Sequence, residues 1–210
     1  MRAFVFAGGE IVPSLITERP SEDDLVVAAD SGYRNAAALG ILPSLLVGDL
    51  DSLGAVELPR EVEVLRVPAE KNETDTQLAV RTALSRGATE LLLIGGLSGR
   101  LDHTLSTIGI LEELADRSVR AVLTDGQSRV RFLRNDGLLL VRDARYRYLS
   151  LISLTECSRG VTVEGCKYPL DRAVLCRRDQ YAVSNEIVGN AALVEVRRGA
   201  LLVIESGDRY

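Results

Sequence analysis

Residues 25–52 read LVVAADSGYRNAAALGILPSLLVGDLDS. Two apolar runs, residues 25–29 and 45–47, each lead into an acidic residue, and between them residues 35–39 carry apolar side chains at helical spacing. Strand, helix, strand is the pattern of a parallel sheet covered by helices. The same alternation continues outward on both sides. Further strands are expected at residues 2–7, 62–67, 90–94 and 121–124, and helices at 75–86 and 102–115.

After Gln127 the alternation stops. Short runs rich in Val, Leu and Tyr are separated by the turn signals Asn135-Asp136-Gly137, Arg159-Gly160 and Arg198-Gly199. An all-β second domain follows from this grammar, a sandwich whose last strand covers residues 200–204. The expected fold class is thus α/β, a mostly parallel sheet with flanking helices, followed by a C-terminal β-sandwich. The boundary falls between residues 1–127 and 128–210.

Composition narrows the function. The chain of 210 residues is 46% hydrophobic and 26% charged, and no apolar run approaches the roughly 20 residues that span a bilayer. The apolar stretch before Gly8 is too short for a signal peptide and reads as a first buried strand in a cytoplasmic protein. A net charge of -5 opposes nucleic-acid binding, which rests on many basic contacts to phosphate. Six arginines fall between Arg129 and Arg147, and their largely alternating spacing places them on the wet face of antiparallel strands. Three cysteines, Cys157, Cys166 and Cys176, are odd in number and lack Cys-x-x-Cys spacing, so neither a disulfide framework nor a zinc site is expected.

In an open parallel sheet, ligands bind beyond the carboxyl ends of the strands. Here those places hold aspartates: Asp30 after the second run, Asp49 and Asp51 after the third, and Asp75 and Asp102 where two helices open. Each has a purely structural explanation as a cap or turn residue, and Thr74 with Gln77 has capping-box spacing. Capping does not require them all to share one edge of a sheet, whereas a hard cation such as Mg²⁺ or Mn²⁺ does. Gly95-Gly96-Leu97-Ser98-Gly99-Arg100 adds a glycine turn before a helix, where backbone N–H groups can approach phosphate and Arg100 can bridge its oxygens. It matches no Walker motif, and Ala7-Gly8-Gly9-Glu10 matches no dinucleotide fingerprint. The single histidine, His103, excludes histidine-based zinc chemistry and is either a phosphate donor or a helix-terminal surface group.

As an ordered set, Asp30-Ser31-Gly32, Gly48-Asp49-Leu50-Asp51-Ser52, Glu73-Thr74-Asp75-Thr76, Gly99-Arg100-Leu101-Asp102-His103-Thr104 and Ser184-Asn185-Glu186 resemble the motifs of thiamine pyrophosphokinases. The resemblance covers nearly the whole chain. It implies an ATP-binding α/β domain, a thiamine-binding and dimerising β domain, and a homodimer with the active site shared between subunits. It also implies Mg²⁺-dependent transfer of diphosphate from ATP to thiamine. By motif position, Asp49, Asp51, Asp75 and Asp102 serve the metal, and Asp51, Asp75, Asp102 and Arg100 serve catalysis. Asp30, Asn72, Thr74, Gly99, Arg100, His103 and Thr104 serve ATP, while Ser184 and Asn185 serve thiamine. The sequence departs from the family at Ser31, where glycine is common, and at Leu50, where phenylalanine is usual. It also has no tryptophan, so stacking on thiamine falls to another aromatic such as Tyr181 or Tyr33.

Competing readings are a metal-dependent nucleotide-sugar glycosyltransferase, because Asp49-Leu50-Asp51 is also an Asp-x-Asp at a strand end, a metal-dependent phosphatase, and a non-catalytic thiamine or nucleotide sensor. Their products differ, so product analysis separates them.

Overall fold

The apolar runs of the first half become six strands, β1 (Arg2–Phe6), β2 (Leu25–Ala29), β3 (Leu45–Gly48), β4 (Glu63–Arg66), β5 (Glu90–Ile94) and β6 (Arg120–Thr124). Three helices join them, α1 (Gly32–Ala38), α2 (Asp75–Ser85) and α3 (Leu101–Asp116). The computed structural model describes residues 1–49, 58–67 and 73–208. By its contacts the chain divides into two units, Met1–Gly126 and Gln127–Tyr210.

In the first unit all strands run parallel, in the order β4-β3-β2-β1-β5-β6. The inner strands β1, β2 and β5 are buried at four of five positions, as strands covered on both faces must be. β4 is exposed throughout, as befits a sheet edge. Phe4, Phe6, Ala28, Leu46 and Ile94 belong to one buried cluster of this unit. The chain winds outward from β1 to β4 and then returns to the other side of β1 to lay down β5. That reversal leaves a crevice beyond the carboxyl ends of β1 and β5, where sheets of this kind hold ligands.

Local chemistry fixes how the helices enter. At α2 the capping box forms: Thr74 Oγ1 accepts from Gln77 N–H at 3.2 Å, and Gln77 Oε1 accepts from Thr74 N–H at 2.9 Å. α1 begins at Gly32, three residues before the apolar periodicity starts. A Cβ at Gly32 would sit 2.0 Å from Phe6 O, so only glycine lets this helix lie against β1.

The second unit holds β7 (Ser128–Arg134), β8 (Gly137–Val141), β9 (Tyr148–Ser153), β10 (Cys157–Glu164), β11 (Leu170–Cys176), β12 (Ala191–Arg198) and β13 (Ala200–Ser206). Within it, β13 pairs antiparallel with β7 and β9, while β11-β10-β12-β8 form a second antiparallel sheet. Leu149, Leu151, Leu201 and Val203 from the first set meet Val161, Val163, Leu175, Val194 and Val196 from the second in one core. This is a β-sandwich. Among the described residues no helix is long and apolar enough to cross a membrane.

Three sequence expectations need correction here. Cys157 and Cys176 form a disulfide. They are 19 residues apart in sequence but face each other across β10 and β11, so the odd cysteine count misled: Cys166 is the buried free thiol. Arg129 and Arg131 are not on a wet face, since their side chains are only 13% and 19% exposed. Both pair with the buried carboxylate of Glu205, and Arg129 also pairs with Asp143 at 2.7 Å and stacks on Tyr146. Finally, Arg159-Gly160 is not a turn; the register of β10 shifts there, and Gly160 takes a φ of 64° inside the strand.

Candidate active site

A cavity of about 460 Å³ opens beyond the carboxyl ends of the first unit's strands. Ala7-Gly8-Gly9 reach it from β1, Asp30 and Ser31 from β2, and Asp49 from β3. Thr74, Asp75 and Thr76 line it at the start of α2, with Gly96, Ser98, Gly99 and Arg100 from the turn after β5 and His103 and Thr107 from α3.

Its walls are made of closely fitted backbone. Asp30 is 8% exposed and has a φ of 43°, a conformation uncommon for any residue but glycine. Its N–H donates to Val47 O at 2.8 Å. A Cβ at Gly48 would stand 3.0 Å from Asp30 Cβ, which gives the glycine before Asp49 a steric reason. The glycine turn after β5 locks to the loop after β1: Gly96 N–H donates to Gly8 O at 2.7 Å, and Glu10 N–H donates to Ser98 Oγ at 2.6 Å.

Asp75 is compatible with both explanations offered for it. It lies in the first turn of α2, where a negative charge favours the helix, and it also lines the cavity. Arg100 projects from the rim, its side chain 74% exposed, and grips Asp102 through Nη2–Oδ2 at 2.6 Å and Nε–Oδ1 at 3.2 Å. That hydrogen bond holds the Asp102 carboxyl below its ordinary range and raises the Arg100 guanidinium. Asp102 Oδ1 also accepts from His103 N–H at 3.0 Å.

Of the residues singled out from sequence, the cavity brings together Asp30, Asp49, Thr74, Asp75, Gly99, Arg100 and His103. Asp102 and Thr104 stand behind Arg100, Thr104 Oγ1 donating to Arg100 O at 3.4 Å, and are not among the lining residues. Asp51 and Asn72 lie outside the described residues. Among the described residues, no three His, Cys, Asp or Glu side chains gather as for a metal ion. The Ala7-Gly8-Gly9 loop was not singled out for the site, whereas Gly96 and Ser98 belong to the glycine turn expected to approach phosphate. The loop's signal was two adjacent glycines directly after a buried strand.

Ser184 and Asn185 lie in the second unit. There an apolar pocket of about 100 Å³ is floored by Leu149, Leu151, Val163 and Leu170 and flanked by Tyr168, Tyr181 and Asn185. Asn185 serves this wall through backbone: its Oδ1 accepts from Tyr168 N–H at 3.0 Å and its Nδ2 donates to Tyr168 O at 2.8 Å. Ser184 is exposed, has a φ of 57°, and donates its N–H to Ser150 Oγ at 3.0 Å.

Comparison with known proteins gives a consistent answer. Residues 17–123 match the family model described as the catalytic domain of thiamin pyrophosphokinase, and residues 138–201 match its vitamin B1 binding domain. A thiamine pyrophosphokinase of Bacillus subtilis is 29% identical over 210 residues, covering 97% of this chain and 98% of that protein. Among solved structures, a thiamine pyrophosphokinase from Bacillus subtilis superposes with a TM-score of 0.88 at 26% identity over all of both chains. One from Geobacillus thermodenitrificans gives 0.83 at 28% identity, covering 99% of this chain and 98% of that one.

Proposed function

The chain belongs to the thiamin pyrophosphokinase family, and on that premise we propose that it transfers a diphosphate group from ATP to the hydroxyl of thiamine, releasing AMP. The observation that carries this reading is the cavity at the turning point of the parallel sheet. Glycine-rich backbone, an outlying arginine and the three aspartates Asp30, Asp49 and Asp75 meet there in one space of about 460 Å³.

In this reading the first unit binds ATP. Attack of an alcohol on the β-phosphorus needs in-line placement and neutralisation of charge on the phosphate oxygens, with little covalent chemistry from the protein. Gly8, Gly9, Gly96 and Gly99 let the triphosphate lie against backbone, and Thr74 and His103 offer polar contacts at the rim. Arg100 is exposed enough to swing onto phosphate, with Asp102 holding it ready. Asp49 and Asp75 line the cavity, and carboxylate oxygens are the hard donors that Mg²⁺ or Mn²⁺ takes, so in this reading these two residues would hold such an ion. Asp51 and Asp102 complete the proposed acidic set. When bound, the ion neutralises charge on the phosphate oxygens.

The second unit then takes thiamine. Its pocket pairs an apolar floor with two tyrosine rings, a setting suited to a flat cationic heterocycle, and Asn185 lines it, with Ser184 next to it in the chain. Because the two groups of residues fall in different units, the proposal includes a homodimer in which each active site draws on both subunits. A cytoplasmic location suits an enzyme that consumes ATP.

Incubation of the protein with ATP and thiamine should yield AMP and thiamine diphosphate in equal amounts, only when a divalent metal is present. ADP as first product, free phosphate alone, a glycoside from a nucleotide sugar, or binding without turnover would each assign the chain a different function.

A further inference from the structure

Three successive carbonyls, those of Ala7, Gly8 and Gly9, belong to the loop that lines the cavity. Carbonyl oxygens facing a triphosphate would repel it, so a loop that receives phosphate must turn them elsewhere. All three are in fact engaged from outside the loop. Gly96 N–H donates to Gly8 O at 2.7 Å. The other two go to one side chain, Asn35 on α1, whose Nδ2 donates to Ala7 O at 2.8 Å and to Gly9 O at 2.9 Å.

A trans peptide points its N–H away from its carbonyl, and the chain has no cis peptide among the described residues. Drawing Ala7 O toward Asn35 therefore sends Gly8 N–H the opposite way. The third neighbour at this point is Gly95, where a Cβ would lie 2.5 Å from Ala7 O and 3.0 Å from Asn35 Nδ2. The amide of Asn35 thus sits where the ends of β1 and β5 and the side of α1 converge. The primary amide supplies two donors from one nitrogen, one for each carbonyl.

We propose that Asn35 is a positioning residue for the nucleotide: by holding the carbonyls of Ala7 and Gly9 it keeps the loop's electronegative side turned away from the phosphate chain. This rests on the reading of the cavity as the ATP site. The residue touches no reacting atom and acts through the backbone it orients.

The test uses the α,β-methylene analogue of ATP, whose binding with Mg²⁺ is measured by calorimetry and needs no turnover. Asn35→Asp removes the donors and sets a carboxylate against two carbonyl oxygens, so analogue affinity should fall on the order of 10-fold or more at neutral pH. As pH falls, the introduced carboxyl protonates and can donate again, so the deficit relative to the unaltered protein should shrink. Asn35→Ala should show a deficit of about 3-fold to 10-fold that does not change with pH. In both variants KM for ATP should rise while KM for thiamine stays within about twofold, a split that a general loss of stability would not produce. Should Asn35→Asp fail to fold, Asn35→Ala and Asn35→Ser carry the same KM comparison. Analogue affinity within twofold of the unaltered protein in the folded variants, or equal rises in both KM values, overturns the proposal. An unaltered protein that binds the analogue but makes no AMP would instead fault the functional reading.

Discussion

Arg2 opens β1, and its guanidinium reaches the carboxylate of Asp24, one residue before β2. Asp24 also accepts from Ser21 N–H at 2.8 Å and Ser21 Oγ at 2.9 Å. The Arg2 hydrogen bond, aided by those from Ser21, brings the carboxyl pKa down to about 2 from an ordinary 3.8. A depressed carboxylate adds stability that is present above its unfolded pKa and lost as pH falls through the folded value. Asp24→Asn should therefore lower stability by roughly 1–2 kcal/mol at neutral pH, less than the full shift implies because the Arg2 side chain is 38% exposed. The gap between the two proteins in urea titrations should close between about pH 4 and pH 2; a gap that persists at pH 2 would assign it to packing. Asp49 and Asp75 make a different case, since both residues line the cavity. Asp49→Asn and Asp75→Asn, like Asp51→Asn and Asp102→Asn, should each lower kcat on the order of 100-fold by removing one stabiliser of charge, with little change in Tm. Near-normal turnover at saturating magnesium would make these residues caps and turn formers only.

Among the elements, α2 and the β10–β11 pair show how stability and function divide. Thr74→Ala breaks the capping box and should cost about 1 kcal/mol, while Thr74→Ser, which keeps the acceptor, should cost less; equal losses in thermal melts would locate the effect in the methyl group. The Cys157–Cys176 link closes a loop of 19 residues, so reduction by a dithiol should lower stability by about 2–4 kcal/mol. A double Cys→Ser variant should no longer respond to the dithiol, and a melt unchanged by reduction in the unaltered protein would mean the thiols are unpaired in solution. These elements also show what sequence can and cannot disclose. β1, β2 and β5 were legible because strands buried on both faces must be continuous apolar runs, and Thr74 with Gln77 announced α2 through a local exchange of hydrogen bonds. The start of α1 was hidden, because Gly32 is there for its closeness to Phe6 O and not for helix propensity. The Cys157–Cys176 pair depends on the register of two strands, and Arg129 and Arg131 depend on where Glu205 comes to rest, 74 residues beyond Arg131. Spacing shows which residues share a face and not what covers it. For the site, the strand-end aspartates were legible as a group; that Asp30, Asp49 and Asp75 line one cavity while Asp102 holds Arg100 required the tertiary arrangement.

At the scale of the molecule, the proposed site residues fall into two sets that the chain keeps in separate units. The acidic cavity belongs to Met1–Gly126, and the tyrosine-flanked pocket with Asn185 belongs to Gln127–Tyr210. Under the proposed two-fold dimer, each active site takes its cavity from one subunit and its thiamine wall from the other. Mixing two inactive variants decides between this arrangement and a site built within one chain. Asp75→Asn disables the cavity, and Asn185→Ala frees the backbone of Tyr168 and loosens the pocket wall. In a heterodimer with shared sites, one site inherits both substitutions and the other inherits neither, so one of the two is intact. Random exchange makes half of the dimers mixed, and activity should return to about a quarter of the unaltered enzyme's, as the two-fold arrangement requires. If each chain builds its own site, every site in every dimer carries one substitution and nothing returns. The measurement is AMP release after subunit exchange, with heterodimer formation verified by differently tagged chains. Verified heterodimers that stay inactive, or an unaltered enzyme that is fully active as a monomer, would refute the shared site and leave the proposed chemistry standing.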